Sequence, residues 1–511
     1  METVATLFEH NDRETMRVHG LDPEEVERQI GLFQKGFCAV RLARPCTDGD
    51  GIEVIEDDRM KTLVSLYEAA QSAGRVTKFV PASGAASRMF RDWFRFRRMP
   101  DFVQSDEGRR FKEHLPRYAF YDSLARVIEA RGQSLQKLES AGNLEAILDY
   151  ILSPQGLEYG ALPKALLGFH RYTGHTRTPL EEHLVEATLH GTDRNGIARI
   201  HFTVSPEHAG AVEAHIRRIR EIYEKKFSVV LDISLSTQLP STDTIAVTLD
   251  NRPFRDDQGT LIFRPGGHGA LLKNLNQIEG DIIFLKNIDN VLPDRLKAET
   301  ILFKKVLGGL LVELQDEIFR HLHAIDQNAI DEKALLSLER FCRGRLGVSF
   351  PSAFQNCSDD QKLQFFFSAL HRPLRICGMV KNEGEPGGGP FWVHEKDGSA
   401  SKQIIESAQI DSTSSEQMAL WNASTHFNPV DLVCGVRDHR GDKFDLEQFI
   451  DADRYLISEK SHEGKALKAL EHPGLWNGAM ARWNTVFVEV PLSTFAPVKT
   501  VKDLLRPEHR Q

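Results

Sequence analysis

None of the six cysteines in this sequence sits in a C-x-x-C pair. Cys38, Cys46, Cys342, Cys357, Cys377 and Cys434 are scattered along 511 residues. That argues against a disulfide framework or a structural zinc ribbon and for a reducing compartment. Long apolar runs are also missing. The best of them, "ILFKKVLGGLLVEL", is broken by Lys304 and Lys305, so no membrane span is expected. The opening "METVATLFEHNDRE" is charged and lacks the apolar stretch of a secretory signal, so a cytoplasmic protein is expected. Positive charge is not in excess. The formal net charge is −9, which argues against nucleic-acid partners but leaves room for a local basic pocket. Finally, no G-x-x-x-x-G-K-[ST] and no G-x-G-x-x-G is present, so two common phosphate cradles are absent.

What is present is ordinary soluble composition, 41% hydrophobic and 27% charged. The length suits about three domains, or one large α/β domain with helical insertions. Residues 1–75 read as helical, with an acidic first turn and a glycine stop in "DPEEVERQIGLFQKG". "DGDGIEVIEDD" lacks the full ligand spacing of a calcium loop and reads as a solvated acidic turn. From Val76 onward, short β-branched or aromatic runs ("RVTKFV", "IARIHFTV", "FSVVLDISLS", "DTIAVTLD", "GDIIFLKN") alternate with helical stretches. That alternation predicts an α/β fold with a mainly parallel, mixed sheet. The predicted division is 1–75, then 76–293 with a helical insertion at 92–157, a second helical insertion at 294–370, and strands again in 371–511. "DWFRFRRMPDF" mixes aromatics with arginines, and without overall basicity it reads as an amphipathic helix or a cover over a phosphate site.

Ligands of such sheets sit at the carboxyl ends of strands, so the loops there carry the functional reading. In "VPASGAASRMFR" the small residues Ala82, Ser83, Gly84 and Ala85 let backbone N–H groups approach an anion. A helix beginning near Ser87 aims its positive end at the same place, and Arg88 can grip phosphate oxygens as a fork. A tight strand-to-helix turn looks similar. Lys164 in "LPKALLGFH" can supply a point charge for phosphate, or be an ordinary surface lysine. "FRPGGHG" offers Gly266, Gly267 and Gly269 around His268 as a surface for a flat base or ribose, or is a glycine-rich turn. Asp289 in "FLKNIDNVLPD" is placed as a hard-oxygen ligand for Mg2+, or ends its strand as an Asx-turn. Lys499 in "FAPVKTVKDLL" follows a proline near the C-terminus.

Taken in order, these segments resemble the sugar-1-phosphate pyrophosphorylases, above all the UDP-sugar branch of that nucleotidyltransferase family. "PASGAASRM" is similar to its first loop, "PKALLGFH" to its Pro-Lys-Gly-Leu segment and "STQLP" to its Gln-x-x-x-Pro stretch. "PGGHG" resembles the uridine loop, "NIDN" the metal segment, "THFNPVDLV" the Phe-Asn-x-Asn-Asn segment and "FAPVKTVKDLL" the terminal Pro-Val-Lys-Thr motif. The whole chain also resembles the uncharacterised family called domain of unknown function 4301.

The resemblance implies a nucleotide-diphospho-sugar transferase fold of GT-A type, with nucleotide-binding loops in 76–293 and an acceptor side and closing segment in 371–511. It implies joining a nucleoside triphosphate, UTP by family, to a phosphorylated sugar-like acceptor, with Mg2+ and release of pyrophosphate. Gly84, Arg88, Lys164 and Lys499 then handle phosphates, and Gln238, Gly267 and His268 hold base and ribose. Asp289 holds the metal with Asp431 as a second ligand, while Asn287, Asn428 and Glu395 face the acceptor. The chain departs from the family in three ways: "GAASRM" is poorer in glycine, about seventy residues separate Arg88 from Lys164, and "GPFWVHEKDG" stands where the sugar-side glutamate stretch belongs, so the usual carboxylate is missing or displaced to Glu395. The alternatives are a metal-dependent glycosyltransferase on the same sheet and a non-catalytic nucleotide-binding regulator.

Overall fold

The computed structural model describes residues 8–84, 86–384 and 387–510. The chain divides into two compact units. The first takes the chain up to Tyr67, Gln238–Ile283 and Leu307–Val490, and the second takes Glu68–Thr237, Phe284–Val306 and the chain from Pro491 on. The strands that matter here are β1 (Gly51–Glu53), β2 (Val76–Pro81), β3 (Ile197–Val204), β4 (Val230–Thr237), β5 (Ile282–Lys286), β6 (Leu374–Lys381), β7 (Asp431–Gly435) and β8 (Asn484–Glu489). The helices are α1 (Pro179–Gly191), α2 (Ala209–Phe227), α3 (Lys297–Asp326) and α4 (Asp359–Leu370). The fold is mixed α/β.

In the second unit the strand order is β4-β3-β2-β5, with β3 parallel to both β2 and β4. The chain starts at β2, steps outward through β3 to β4, and returns at β5 on the other side of β2. That reversal is a topological switch point, the place in an open α/β sheet where ligands are expected at the carboxyl ends of the strands. β5 is buried along its whole length, as suits a strand covered on both faces. α1 starts at a capping box of Thr178 and Glu181 with Pro179 at its first position. α2 buries Val212, Ile216, Ile219 and Tyr223, one helix face, and stops at Ser228 in a left-handed conformation with φ 54°.

The helical segment between Arg91 and Leu152 builds its own aromatic core from Trp93, Phe96, Phe102, Phe111, Tyr118 and Phe120. Trp93, Phe96 and Phe102 of "DWFRFRRMPDF" are therefore packed inside, and half-buried Phe94 lies against the same core. Val498, Val501 and Leu504 join the same core, which anchors the C-terminal segment on both sides of Lys499.

The first unit carries the order β1-β8-β6-β7, in which β8 runs parallel to β1 and β6 while β7 runs antiparallel to β6. The helical expectation for residues 1–75 fails between Leu42 and Glu53, where Leu42–Pro45, Thr47–Asp48 and β1 are short strands. Thr47–Asp48 pairs locally with β1, but the other partners of Leu42–Pro45 and of β1 lie hundreds of residues away, at 391–393 and in β8, where local pattern carried no sign of them. Among the described residues no helix is long and apolar enough to cross a membrane.

The apolar run that forms β2 hides a charge. Lys78 is fully buried and donates to Glu186 Oε1 on α1 at 2.8 Å, and Lys286 of β5 reaches Oε2 at 3.1 Å. Lys304 of α3 lies 3.4 Å from the same carboxylate. Burial pulls Lys78 down to about 7, with the neighbouring ammoniums of Lys304 and Lys286 adding to it and Glu186 opposing. The folded value lies below the ordinary 10.5, so the unfolded chain binds more protons between them. Stability is therefore full above the ordinary lysine value and falls as pH drops toward about 7. The thermal midpoint should rise from pH 7 to pH 10, and Lys78→Met should flatten that slope. An identical slope in the variant would refute the assignment.

Candidate phosphate-handling site

The loop leaving β2 is tied to its surroundings by backbone bonds. Ala82 donates to Thr203 O at 2.7 Å, and Ala86 to Leu162 O at 3.2 Å. Between them Gly84 O accepts from the backbone N–H of Lys164 at 3.2 Å, which brings the second expected segment against the first. Gly84 is exposed, and no protein atom outside its chain neighbours lies within 4 Å of where its Cβ would point. Packing within the protein does not demand this glycine. Ser83 is half-buried and Ala82 buried; Ala85 lies outside the described residues. The helix expected near Ser87 does not start there. Ala86–Arg88 is a single 3-10 turn and the α-helix begins at Arg91. Met89 N–H donates back to Ala86 O and Met89 O accepts from Val501 N–H, so the turn is held by local closure and by the C-terminal segment. Arg88 is exposed, with no hydrogen bond or ion pair among the described residues.

Asp289 is the point on which the other segments converge. It sits in the turn after β5, closed by Asn290 N–H to Asn287 O at 3.1 Å. Lys164 donates to its Oδ2 at 2.8 Å and to Val498 O at 2.8 Å. Lys499 lies 3.1 Å from Oδ2 and 3.4 Å from Oδ1. Burial raises the Asp289 carboxyl, but the ammoniums of Lys164 and Lys499 outweigh it and hold the group below the usual carboxylate range. It is therefore anionic at neutral pH. The C-terminal segment is laid along this turn: Val498 N–H donates to Asp289 O at 3.0 Å and Ala496 N–H to Asn290 Oδ1 at 3.1 Å. Asp503 Oδ2 accepts from the N–H groups of Lys499 and Thr500 at 2.9 and 2.7 Å, fixing the backbone from which Lys499 reaches. The Lys164 side chain is 12% exposed and that of Lys499 58%, so one cation is built in and the other is open to solvent. Asn287 is half-buried, and its carbonyl faces His183 Nε2 at 3.2 Å.

The remaining expected residues lie in the first unit. Gln238 is half-buried there. The glycine loop is explained by its own packing. A Cβ at Gly266 would lie 2.4 Å from His472, at Gly267 2.9 Å from Glu471 and at Gly269 2.2 Å from the Pro473 carbonyl. Gly267 also has φ +75°. His268 stacks on Trp476 at 4.1 Å, and its Nδ1 accepts from Leu475 N–H at 3.0 Å, which puts the proton on Nε2. Burial lowers its pKa to about 4, so it is neutral.

Asn428 and Asp431 flank a feature the sequence reading missed. Val430 has φ 54°, a left-handed conformation that a β-branched residue rarely adopts. Asn428 Oδ1 accepts from Val430 N–H at 3.1 Å, while its Nδ2 is buried without a partner among the described residues. Asp431 is buried at the start of β7.

Glu395 is not brought to these residues. In the register of β6 and β7, Leu374 pairs with Gly435 and Cys377 with Leu432, so Asp431 lies toward the carboxyl end of β6. Glu395 instead accepts from Ser401 Oγ in a hairpin. It lines a cavity of about 590 Å3 with Arg372, Lys402, Asn484 and Thr485, at the starts of β6 and β8.

The second unit thus defines a class: an α/β protein with two lysines and one carboxylate converging at the carboxyl ends of strands, at a switch point. The chain belongs to the family described as Domain of unknown function (DUF4301), whose profile matches residues 9–510. No curated protein matches it. Among solved structures it is similar to a UDP-glucose pyrophosphorylase variant from Leishmania major in complex with UDP-glucose (14% identity over 97% of this chain and 77% of that one, TM-score 0.45). It is also similar to a UDP-glucose phosphorylase from Trypanosoma brucei (13% identity, 97% and 77% covered, TM-score 0.47).

Proposed function

We propose that this protein is a nucleotidyltransferase that joins a nucleoside triphosphate, UTP by motif resemblance, to a phosphorylated sugar-like acceptor and releases pyrophosphate. The observation that carries the reading is the convergence of Lys164 and Lys499 on Asp289, across 125 and 210 residues of sequence, beside the open glycine Gly84. In the reaction an acceptor phosphate oxygen forms a bond to the α-phosphorus as the bond from that phosphorus to the β-phosphate oxygen breaks. The nucleophile is already anionic, so catalysis rests on assembling two polyanions and stabilising charge rather than on a general base.

Gly84 and Arg88 are assigned to the β- and γ-phosphates, and Lys164 and Lys499 to the charge that builds on the leaving pyrophosphate. Gln238, Gly266, Gly267, His268 and Gly269 are assigned to base and ribose by motif. Asn287 and Asn428 are assigned to the acceptor. Asp289 fits Mg2+, being ionised and hard, and Mg2+ needs only one or two carboxylates besides water and phosphates. Asp431 is proposed as a further carboxylate for the metal. A bound Mg2+ would neutralise charge on the phosphate oxygens. Without a ligand, Asp289 serves as the internal counter-ion of both lysines; an arriving polyphosphate offers each ammonium an alternative anion.

The first experiment is thermal stabilisation by UTP, ATP, GTP, CTP and dTTP, with and without Mg2+, on wild type and Asp289→Ala. One triphosphate at about 100 times its dissociation constant should add about 2.7 kcal/mol. In Asp289→Ala the Mg2+ dependence should vanish while metal-free binding persists, because two ammoniums have lost their internal carboxylate. Absence of stabilisation by every triphosphate would refute the transferase reading.

A further inference from the structure

We propose that His371, Asp438 and His439 form a binding site for a divalent transition-metal ion of the zinc class, with Asp326 orienting His439. All four residues lie in the first unit. One ligand atom from each of the first three lies within 4.8 Å of the others. His371 is the C-cap of α4, Asp438 and His439 stand in the turn that follows β7, and Asp326 is the last residue of α3.

The turn fixes the Asp438 carboxylate. Its Oδ1 accepts from the N–H groups of Arg440 and Asp442, both at 2.9 Å, which leaves Oδ2 facing His371 Nε2 at 3.3 Å. The His439 side chain is fully buried, and its Nε2 lies 2.9 Å from Asp326 Oδ2. Its Nδ1 is buried and has no partner among the described residues. A carboxylate holding one imidazole nitrogen while the other is left bare is the arrangement that sets the tautomer and orientation of a metal-bound histidine. Two separate histidine–carboxylate pairs would account for the contacts to Asp438 and Asp326, but they leave Nδ1 desolvated with nothing in return. The rings of His371 and His439 stand 5.7 Å apart at 84°.

Two imidazoles and one carboxylate select zinc-like ions, since Mg2+ and Ca2+ prefer oxygen donors. Three protein ligands leave a fourth position for water, and His371, 34% exposed, is where solvent reaches the cluster. The ion would tie the ends of α3 and α4 to the turn after β7.

The test uses the full chain stripped of metal and titrated with Co2+, read by visible d–d absorption and then by displacement with Zn2+. One equivalent should give four-coordinate bands that Zn2+ abolishes. His371→Ala and Asp438→Asn should remove the bands; the asparagine retains an oxygen for the turn, and circular dichroism checks that both variants fold. Asp326→Asn should keep the bands but weaken binding by about 10- to 100-fold. Asp289→Ala should leave the Co2+ signal unchanged, which separates this site from the proposed magnesium ligand. Absence of bands in wild type, or bands that survive His371→Ala and Asp438→Asn, would overturn the site. Wild-type affinity in Asp326→Asn would overturn its orienting role.

Discussion

Lys164→Met should lower the rate of pyrophosphate release by about 100- to 1,000-fold, the usual cost of one charged contact made in the transition state. The ammonium is nearly enclosed and already aimed by two acceptors at 2.8 Å, Asp289 Oδ2 and Val498 O. Little reorganisation is therefore needed when charge develops on the departing phosphate. Lys164→Arg should not restore the rate, because a planar fork cannot replace a point charge held between those two oxygens. In Lys164→Met, Asp289 keeps Lys499 as a partner, so the fold should survive and the loss should fall on turnover more than on nucleotide binding. The measurement is turnover with the triphosphate selected by thermal stabilisation and a panel of sugar phosphates. If Lys164→Met turns over like wild type, Lys164 has no part in the chemistry.

That prediction depends on a convergence only half legible in the sequence. Each member was visible as a residue type at the end of a strand or beside a proline: Lys164 after Pro163, Asp289 after the apolar run of β5, Lys499 after Pro497 and Val498. The pairing was not visible, because it is made across 125 and 210 residues and no local periodicity encodes such closure. The loop at Gly84 was readable as a turn, but its helix was placed too early. "AASRM" is compatible with a helix; the local bond of Met89 to Ala86 closes a single 3-10 turn, and the long-range bonds of Ala86 to Leu162 and of Val501 to Met89 tie its two ends to remote segments.

The glycines of "PGGHG" teach the converse. Their pattern stood out, and the structure accounts for each of them by close approach of residues 471–473, a requirement of packing that holds whatever the loop binds. Val430 was illegible for a different reason: a backbone strain has no composition. Leu42–Pro45 and β1 were missed because their partners at 391–393 and in β8 are remote, and Lys78 because a lysine inside an apolar run reads as an exception rather than as one corner of a buried cluster.

The largest expected loss of stability lies in that cluster. Glu186→Gln should destabilise the protein by about 3–5 kcal/mol, the cost of removing one partner from a buried ionic network. Burial by itself raises the Glu186 carboxyl, yet Lys286, Lys78 and Lys304 together hold it well below the usual range. The amide keeps the shape and removes a carboxylate that these three lysines share, so desolvated ammonium charge must be neutralised or hydrated. The effect reaches the site because Lys78 lies on β2 and Lys286 on β5, the two strands whose ends carry Gly84 and Asp289. Urea denaturation should therefore show an earlier transition, and nucleotide stabilisation should weaken in proportion to the population lost.

Replacing all four side chains by methionine should behave quite differently. Swapping a buried ionic group for apolar side chains of similar volume is often neutral or stabilising, so this variant should recover most of the lost stability. Recovery would mean that the cluster sets which strands lie together at the switch point rather than how strongly they hold. If Glu186→Gln unfolds at the wild-type urea concentration, the three lysines do not depend on that carboxylate for their place in the fold.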